Sequence, residues 1–193
     1  MSERHNVIVG ISGASGAGLG VRIVELLAER CAVHLVVSSA AERTLAEEVG
    51  AEAPARLRAL AARHYPHSDI GAAIASGSFP VAGMIVAPCS MRTLSAIAYG
   101  QLDNLLARAA DVQLKERRRL VLLARESPLH LGHLRAMLQA TEIGAIIAPP
   151  LPAFYLKPQS IAEIVDQIAC RAINLLNLPG VTAPARAWGG ERS

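Results

Sequence analysis

Residues 9–18 read VGISGASGAG, an apolar run that empties into a turn carrying four glycines and two serines. A chain that leaves a β-rich run through such a turn and enters a helical face has few folds open to it. Residues Asn6 to Ile11 form the β-rich run, and Ala17 to Arg30 then repeat apolar side chains at Leu19, Ile23, Leu26 and Leu27, one face of a helix. The turn matches no standard phosphate loop. G-x-G-x-x-G fails because Val21 stands where the third glycine belongs, and the P-loop fails because Leu19 follows Gly18 where lysine is required. The nucleophile elbow G-x-S-x-G ends one residue wrong, on Ala17.

The rest of the chain repeats the alternation. Ala32 to Val37 reads as a second buried strand, and Ser38-Ser39 is placed to cap a helix running to about Gly50. Further strands are predicted at Met84 to Ala87, Leu120 to Ala124 and Ala145 to Ala148. Helices are predicted at Ala55 to Arg63, Thr93 to Tyr99, Asp103 (as cap) to Glu116, His130 to Thr141 and Ser160 to Leu176. The pattern predicts an α/β fold: one Rossmann-like, doubly wound domain with a mostly parallel sheet between two helical layers, over residues 1–180, and a Gly/Pro-rich tail over 181–193. In such sheets ligands bind beyond the carboxyl ends of the strands. Those ends carry SGASG (12–16), SS (38–39), PCSMRT (88–93) and RESP (125–128), hydroxyls and arginines suited to a phosphate and a polar ring system such as a flavin mononucleotide.

Composition narrows the partners. Hydrophobic residues make up 52% of the 193 and charged ones 18%, an apolar excess that points to surface buried between subunits. A net charge of +3 with 3% aromatics gives no stacking platform for nucleic acid. Ile70 to Met91 carries no charge, but Gly71, Gly77, Pro80, Gly83 and Pro88 make it loop, strand and turn, so no membrane span is expected. Cys31, Cys89 and Cys170 are scattered and odd in number, which speaks against disulfides or zinc and for a reducing, cytoplasmic setting. His64 with His67, and His130 with His133, share helix faces without a carboxylate at ligand spacing, so no metal site is expected.

Several residues keep two readings at this level. Ser15 is a cap of the first helix or a hydroxyl on a ligand. Glu48 is a solvated carboxylate near a helix end or an acid–base group. Cys89 at a strand end is a buried thiol or a nucleophile, the buried thiol being favoured. The run Lys115 to Arg119 is an exposed helix terminus, Lys115 alone being held apart from that reading.

GASG after the first strand, PCSMRTLSAIAYG, DNLLARAADVQLKERRRLVLLARESPLHLGHL and PAFYLKPQS together resemble the flavin prenyltransferase family called UbiX, over roughly residues 6–178. The resemblance implies an enzyme that joins the dimethylallyl group of dimethylallyl monophosphate to N5 and C6 of reduced FMN. The products are prenylated FMN, the cofactor of UbiD-type partner decarboxylases, and phosphate. It also implies a homododecamer. By the same resemblance Gly13, Ala14, Ser15, Ser38, Ser90, Met91, Arg92, Thr93 and Arg125 hold FMN. Tyr155 and Arg171, with Arg108, Lys115 and the tail residue Trp188, hold the prenyl phosphate. Glu48, Lys115, Glu126 and Ser15 are the implied catalytic set. Arg119 and Ser39 stand where the family commonly has proline and lysine.

The chemistry agrees with the residues. No Asp-Asp pair is present to hold a diphosphate through magnesium, whereas lysine, arginine and tyrosine suit a metal-free clamp on a leaving monophosphate. Glu48 or the released phosphate is the expected base. Two rivals remain: a flavin-dependent decarboxylase of the cysteine-decarboxylase type, whose P-x-M-N-x-x-M-W motif is missing here, and a flavin carrier without chemistry.

Overall fold

The computed structural model describes residues 4–185. Six strands form one all-parallel sheet: β1 (Asn6–Ile11), β2 (Ala32–Val37), β3 (Arg63–Tyr65), β4 (Gly83–Cys89), β5 (Arg119–Ala124) and β6 (Ile146–Ile147), in the order β3-β2-β1-β4-β5-β6. Every residue of β4 is buried, as are five of the six residues in each of β1, β2 and β5, because helices cover both faces. On one face Val7, Val9 and Ile11 pack against α1 (Ala17–Ala28), α2 (Ser39–Glu48), α3 (Ala53–Leu60) and α7 (Ile161–Leu175). On the other, Ile8, Met84 and Val86 pack against α4 (Met91–Ala98), α5 (Leu105–Lys115) and α6 (Leu131–Glu142).

The helix starts are written in the sequence. The side chains of Ser38, Ser90, Asn104 and Ser160 accept the N–H of Ala41, Thr93, Ala107 and Glu163, and the Glu163 carboxylate returns a bond to the Gln159 N–H. α5 is thus capped by Asn104, not by Asp103, whose carboxylate instead receives the Asn104 amide. The predicted helix over 55–63 ends at Leu60. Residues 63–65 leave it to form β3, a sixth strand too short and polar for its alternation to show, so His64 lies on a strand. His130 caps α6: its Nδ1 accepts the N–H of Gly132 and His133, and the two imidazoles stack 3.6 Å apart.

Close packing fixes the first glycines. A methyl on Gly20 would lie 2.4 Å from the Ala87 carbonyl oxygen, so α1 sits directly over β4. The uncharged stretch 70–91 becomes a short 3₁₀ turn (Ala73–Ala75), a loop and β4, and no helix among the described residues is long and apolar enough to cross a membrane. Over residues 181–185 the chain stays on the core: Val181 and Ala183 are buried, and Ala183 exchanges two hydrogen bonds with the Asn174 side chain.

Candidate functional site

The strand order reverses between β1 and β4, and the crevice of a doubly wound sheet opens at that point. One residue ties the two strand ends together. Ser12, 1% exposed, donates its hydroxyl to the Pro88 carbonyl at 2.8 Å and accepts the Ser90 N–H at 2.7 Å. It sets the start of α4; the segment SGASG (12–16) contained it, but nothing in the sequence assigned it this role.

Above this tie lies a cleft of about 250 Å³ lined by Gly13, Ser38, Ser90, Arg92 and Thr93 among others. Gly13 is glycine because α2 begins against it: an added methyl would stand 2.4 Å from the Ala40 side chain. Met91 is buried beneath the cleft, in the core under α4. The Ser90 hydroxyl donates to Thr93 Oγ1 at 3.1 Å while accepting the Thr93 N–H. The lining therefore includes three capped helix starts, at Ser38, Ser90 and Asn104, with hydroxyls and one guanidinium, a donor set for a phosphate monoester. His67, Gln101, Asp103 and Asn104 complete the wall, none of them anticipated as site residues.

A second cluster sits beside it at the start of α1. Gly16, with φ +102°, is the N-cap residue and offers no side chain; Ser15, read above as a candidate cap, does not cap the helix. Glu48 reaches back from the end of α2, and one carboxylate oxygen accepts the N–H of Gly16 and of Ala17, both at 2.8 Å. Burial opposes ionisation of Glu48. Hydrogen bonds from the Ser15 hydroxyl and the Ala17 and Gly16 amides, with Arg125 nearby, outweigh it and hold the carboxyl below its ordinary value. The Arg125 N–H donates to the Cys89 carbonyl at 3.0 Å, which fastens this arginine's backbone to the end of β4. Glu126 accepts the Ser127 N–H and is exposed.

Tyr155 and Arg171 line a third region, a cleft of about 190 Å³ between α7 and the ends of β5 and β6, with Leu123, Ala148 and Pro149 as its apolar floor. Ala185, the last described residue, also lines this cleft. Trp188 lies outside the described residues.

Three basic residues of the central block lie elsewhere in the protomer. Lys115 does not join these clusters within one chain: it ends α5 at the amino edge of the sheet, pairs with Glu116 and faces Gly77. Arg108, one turn into the same helix, pairs with Asp111 at 3.7 Å. Arg118, read as part of an exposed terminus, is half-buried and pins the loop before β4, donating to the carbonyls of Gly77 (2.7 Å) and Phe79 (3.1 Å). Cys89 is wholly buried, and burial pushes its thiol far up, away from nucleophilic use.

The chain matches the family described as Flavoprotein over residues 1–172. It is 53% identical, over 89% of its length and 89% of the relative's, to a flavin prenyltransferase UbiX of Thauera aromatica. The chain belongs to the UbiX flavin prenyltransferase family. Among solved UbiX structures, AnUbiX (PadA1) in complex with FMN and dimethylallyl pyrophosphate is 45% identical, with a TM-score of 0.93 covering 98% of this chain and 100% of that one. A dodecameric FMN-dependent UbiX-like decarboxylase from Escherichia coli O157:H7 is 42% identical, with a TM-score of 0.90 over 96% and 100% of the two chains.

Proposed function

We propose that this chain is a flavin prenyltransferase. It joins the dimethylallyl group of dimethylallyl monophosphate to N5 and C6 of reduced FMN, giving prenylated FMN and phosphate without a metal ion. The observation that carries the reading is the 53% identity to a UbiX prenyltransferase across nearly the whole chain, together with two clefts of different chemistry on one edge of the sheet. The polar cleft with Ser38, Ser90, Arg92 and Thr93 suits the flavin phosphate. The apolar cleft closed by Tyr155 and Arg171 suits a five-carbon chain ending in phosphate.

The flavin supplies the nucleophilic ring atoms when bound; the protein supplies position, charge and proton handling. Arg171 and the Tyr155 hydroxyl stabilise phosphate as the allylic C–O bond breaks. Leu123, Ala148 and Pro149 exclude water from the allylic carbons. Glu48, ionised and hydrogen-bonded to Ser15, forms with that hydroxyl a short path for a proton leaving the flavin edge. Gly13 and Ala14 bring the backbone close to the ring, and Arg125 adds positive charge beside the Glu48 carboxylate. Glu126, exposed next to Arg125, is the second proton carrier in this scheme.

Lys115 and the Tyr155 cleft lie at different edges of one protomer, so a phosphate clamp that includes Lys115 and Arg108 requires a second copy of the chain. A homododecamer, as in the E. coli structure, is the assembly we infer. The expected recipient of the product is a UbiD-type decarboxylase. A cytoplasmic setting is supported by three buried, unpaired cysteines. Residues 1–180 are the catalytic domain and 181–193 its tail, in which Trp188 is proposed to face the prenyl group.

The test is anaerobic incubation of the protein with reduced FMN and either dimethylallyl monophosphate or the pyrophosphate, in chelator. Release of inorganic phosphate from the monophosphate, with a flavin heavier by one C5H8 unit, is the expected result. Product only on adding a divalent ion, or only from the pyrophosphate, refutes the mechanism.

A further inference from the structure

His67 follows β3 directly, two residues past Tyr65, and so stands at the carboxyl edge of the sheet. Its backbone carbonyl accepts the Leu105 N–H at 2.9 Å, which locks this residue to the first turn of α5. It lines the 250 Å³ cleft together with Ser38, Ser90 and Arg92, and its imidazole hydrogen-bonds Asn104 of the same lining. Among the described residues lining that cleft, only Arg92 from α4, Asp103 from the loop before α5, and His67 carry or can carry charge. The segments contributed by β1 and α2 bring only Gly13, Ser38, Ser39 and Ala40. The cleft is thus a donor-rich pocket in which one fixed cation and one fixed anion nearly cancel, and the third charge is switchable.

We propose that His67 is a proton-linked contact for the phosphate monoester of the flavin: its imidazole takes up a proton as the phosphate enters the cleft and gives it back as the flavin leaves. The proposal rests on the flavin reading above and adds to it a residue and a pH dependence. Without a ligand, burial disfavours the charged ring; Asp103 raises its pKa, Arg92 lowers it, and the Asn104 hydrogen bond raises it, leaving a net downward shift. A phosphate between His67 and Arg92 reverses the sign of the local field, and an opposite charge within about 4–6 Å favours the protonated ring. Binding and proton uptake are then coupled, so each favours the other. The device has a use at this site, because the product must leave for another protein: a neutral His67 weakens the hold on the phosphate.

The experiment uses the full chain and compares FMN with riboflavin, which shares the ring and lacks the phosphate. Linkage of one proton gives up to about tenfold in affinity per pH unit across the interval between the free and bound pKa values. Between pH 8 and pH 6 the native protein is expected to gain about tenfold more FMN affinity than the variant His67→Gln, whose slope reports the phosphate's own ionisation near pH 6. Calorimetry in buffers of different ionisation enthalpy is expected to show proton uptake with FMN that is absent from H67Q and absent with riboflavin. His67→Lys, with a fixed charge, is expected to bind FMN tightly with the flat slope of H67Q, and dimethylallyl monophosphate alone to show no His67-dependent slope. An H67Q slope equal to the native one, an equal slope for riboflavin, or linkage seen with dimethylallyl monophosphate and not with FMN overturns the assignment. Failure of the native protein to bind either flavin overturns the flavin reading and this inference together.

Discussion

Replacing Ser12 by alanine is the sharpest test of how the fold builds its site. The hydroxyl has two bonds, one given to Pro88 and one received from Ser90, and it is 1% exposed. In the variant the Pro88 carbonyl keeps the Ser12 N–H at 3.2 Å, but the Ser90 N–H is left without an acceptor at the cap of α4. One lost bond plus one stranded, part-buried donor amounts to about 2 kcal/mol. For a domain of this size a loss of 1 kcal/mol lowers Tm by roughly 2–4 °C, so a fall of about 4–8 °C is expected. The same loss releases the Ser90–Thr93 turn, so FMN affinity is expected to fall with stability. Thermal melts at fixed protein concentration and flavin fluorescence titrations measure both, with Ser68→Ala, an exposed site, as the neutral control. A variant that melts within 1 °C of the native protein and binds FMN unchanged refutes the reasoning that this hydroxyl ties the two strands.

Other perturbations follow from single contacts. Gly13→Ala forces a methyl to within 2.4 Å of Ala40, and an overpacking cost of about 1–3 kcal/mol with weakened FMN binding is expected in denaturant titrations. Cys89, buried with its thiol pKa pushed up, is expected to stay unlabelled by thiol reagents in the folded protein, as read by peptide mass, and Cys89→Ala to retain turnover; loss of turnover restores the nucleophile reading. His34 has its pKa lowered by burial and then by Arg63, while its ring nitrogens face Tyr65 Oη at 2.8 Å and Asn6 Oδ1 at 3.2 Å. The unfolded chain therefore binds the proton first. Stability falls as pH drops through the ordinary histidine value near 6.5 toward the lower folded value, and His34→Asn is expected to flatten that slope in urea midpoints taken between pH 8 and pH 5.

The sheet was legible where strands are long and apolar: β1, β2, β4 and β5 stand out as runs, and Ser38 and Ser160 announce helix starts, whereas the start of α4 was read at Thr93 and lies at Met91 behind its cap Ser90. β3 was not, because Arg63-His64-Tyr65 earns its place through tertiary contacts, with Tyr65 buried on His34 and Arg63 5.0 Å over the tyrosine ring. Cleft residues held by their loop neighbours, such as Gly13, Ser90 and Thr93, were visible in motifs. The role of Ser12, inside SGASG, and the place of His67 were not, since one acts through a partner 78 positions away and the other was assigned to a helix that ends at Leu60. For Lys115 the motif is plain, but sequence proximity to Arg108 and Arg125 says nothing about which edge of the sheet a helix end reaches.

Glu48 gives the opening glycine turn its meaning. In most doubly wound sheets the first helix offers its free amides to a ligand's phosphate. Here those amides are already spoken for by a carboxylate of the same chain, so an incoming phosphate finds like charge at α1 and is turned toward the starts of α2 and α4. In the proposed reading the mononucleotide is thereby displaced sideways along the crevice, with its ring facing the carboxylate that did the displacing. On that proposal a single acidic side chain sets both where the phosphate is refused and where a proton is accepted.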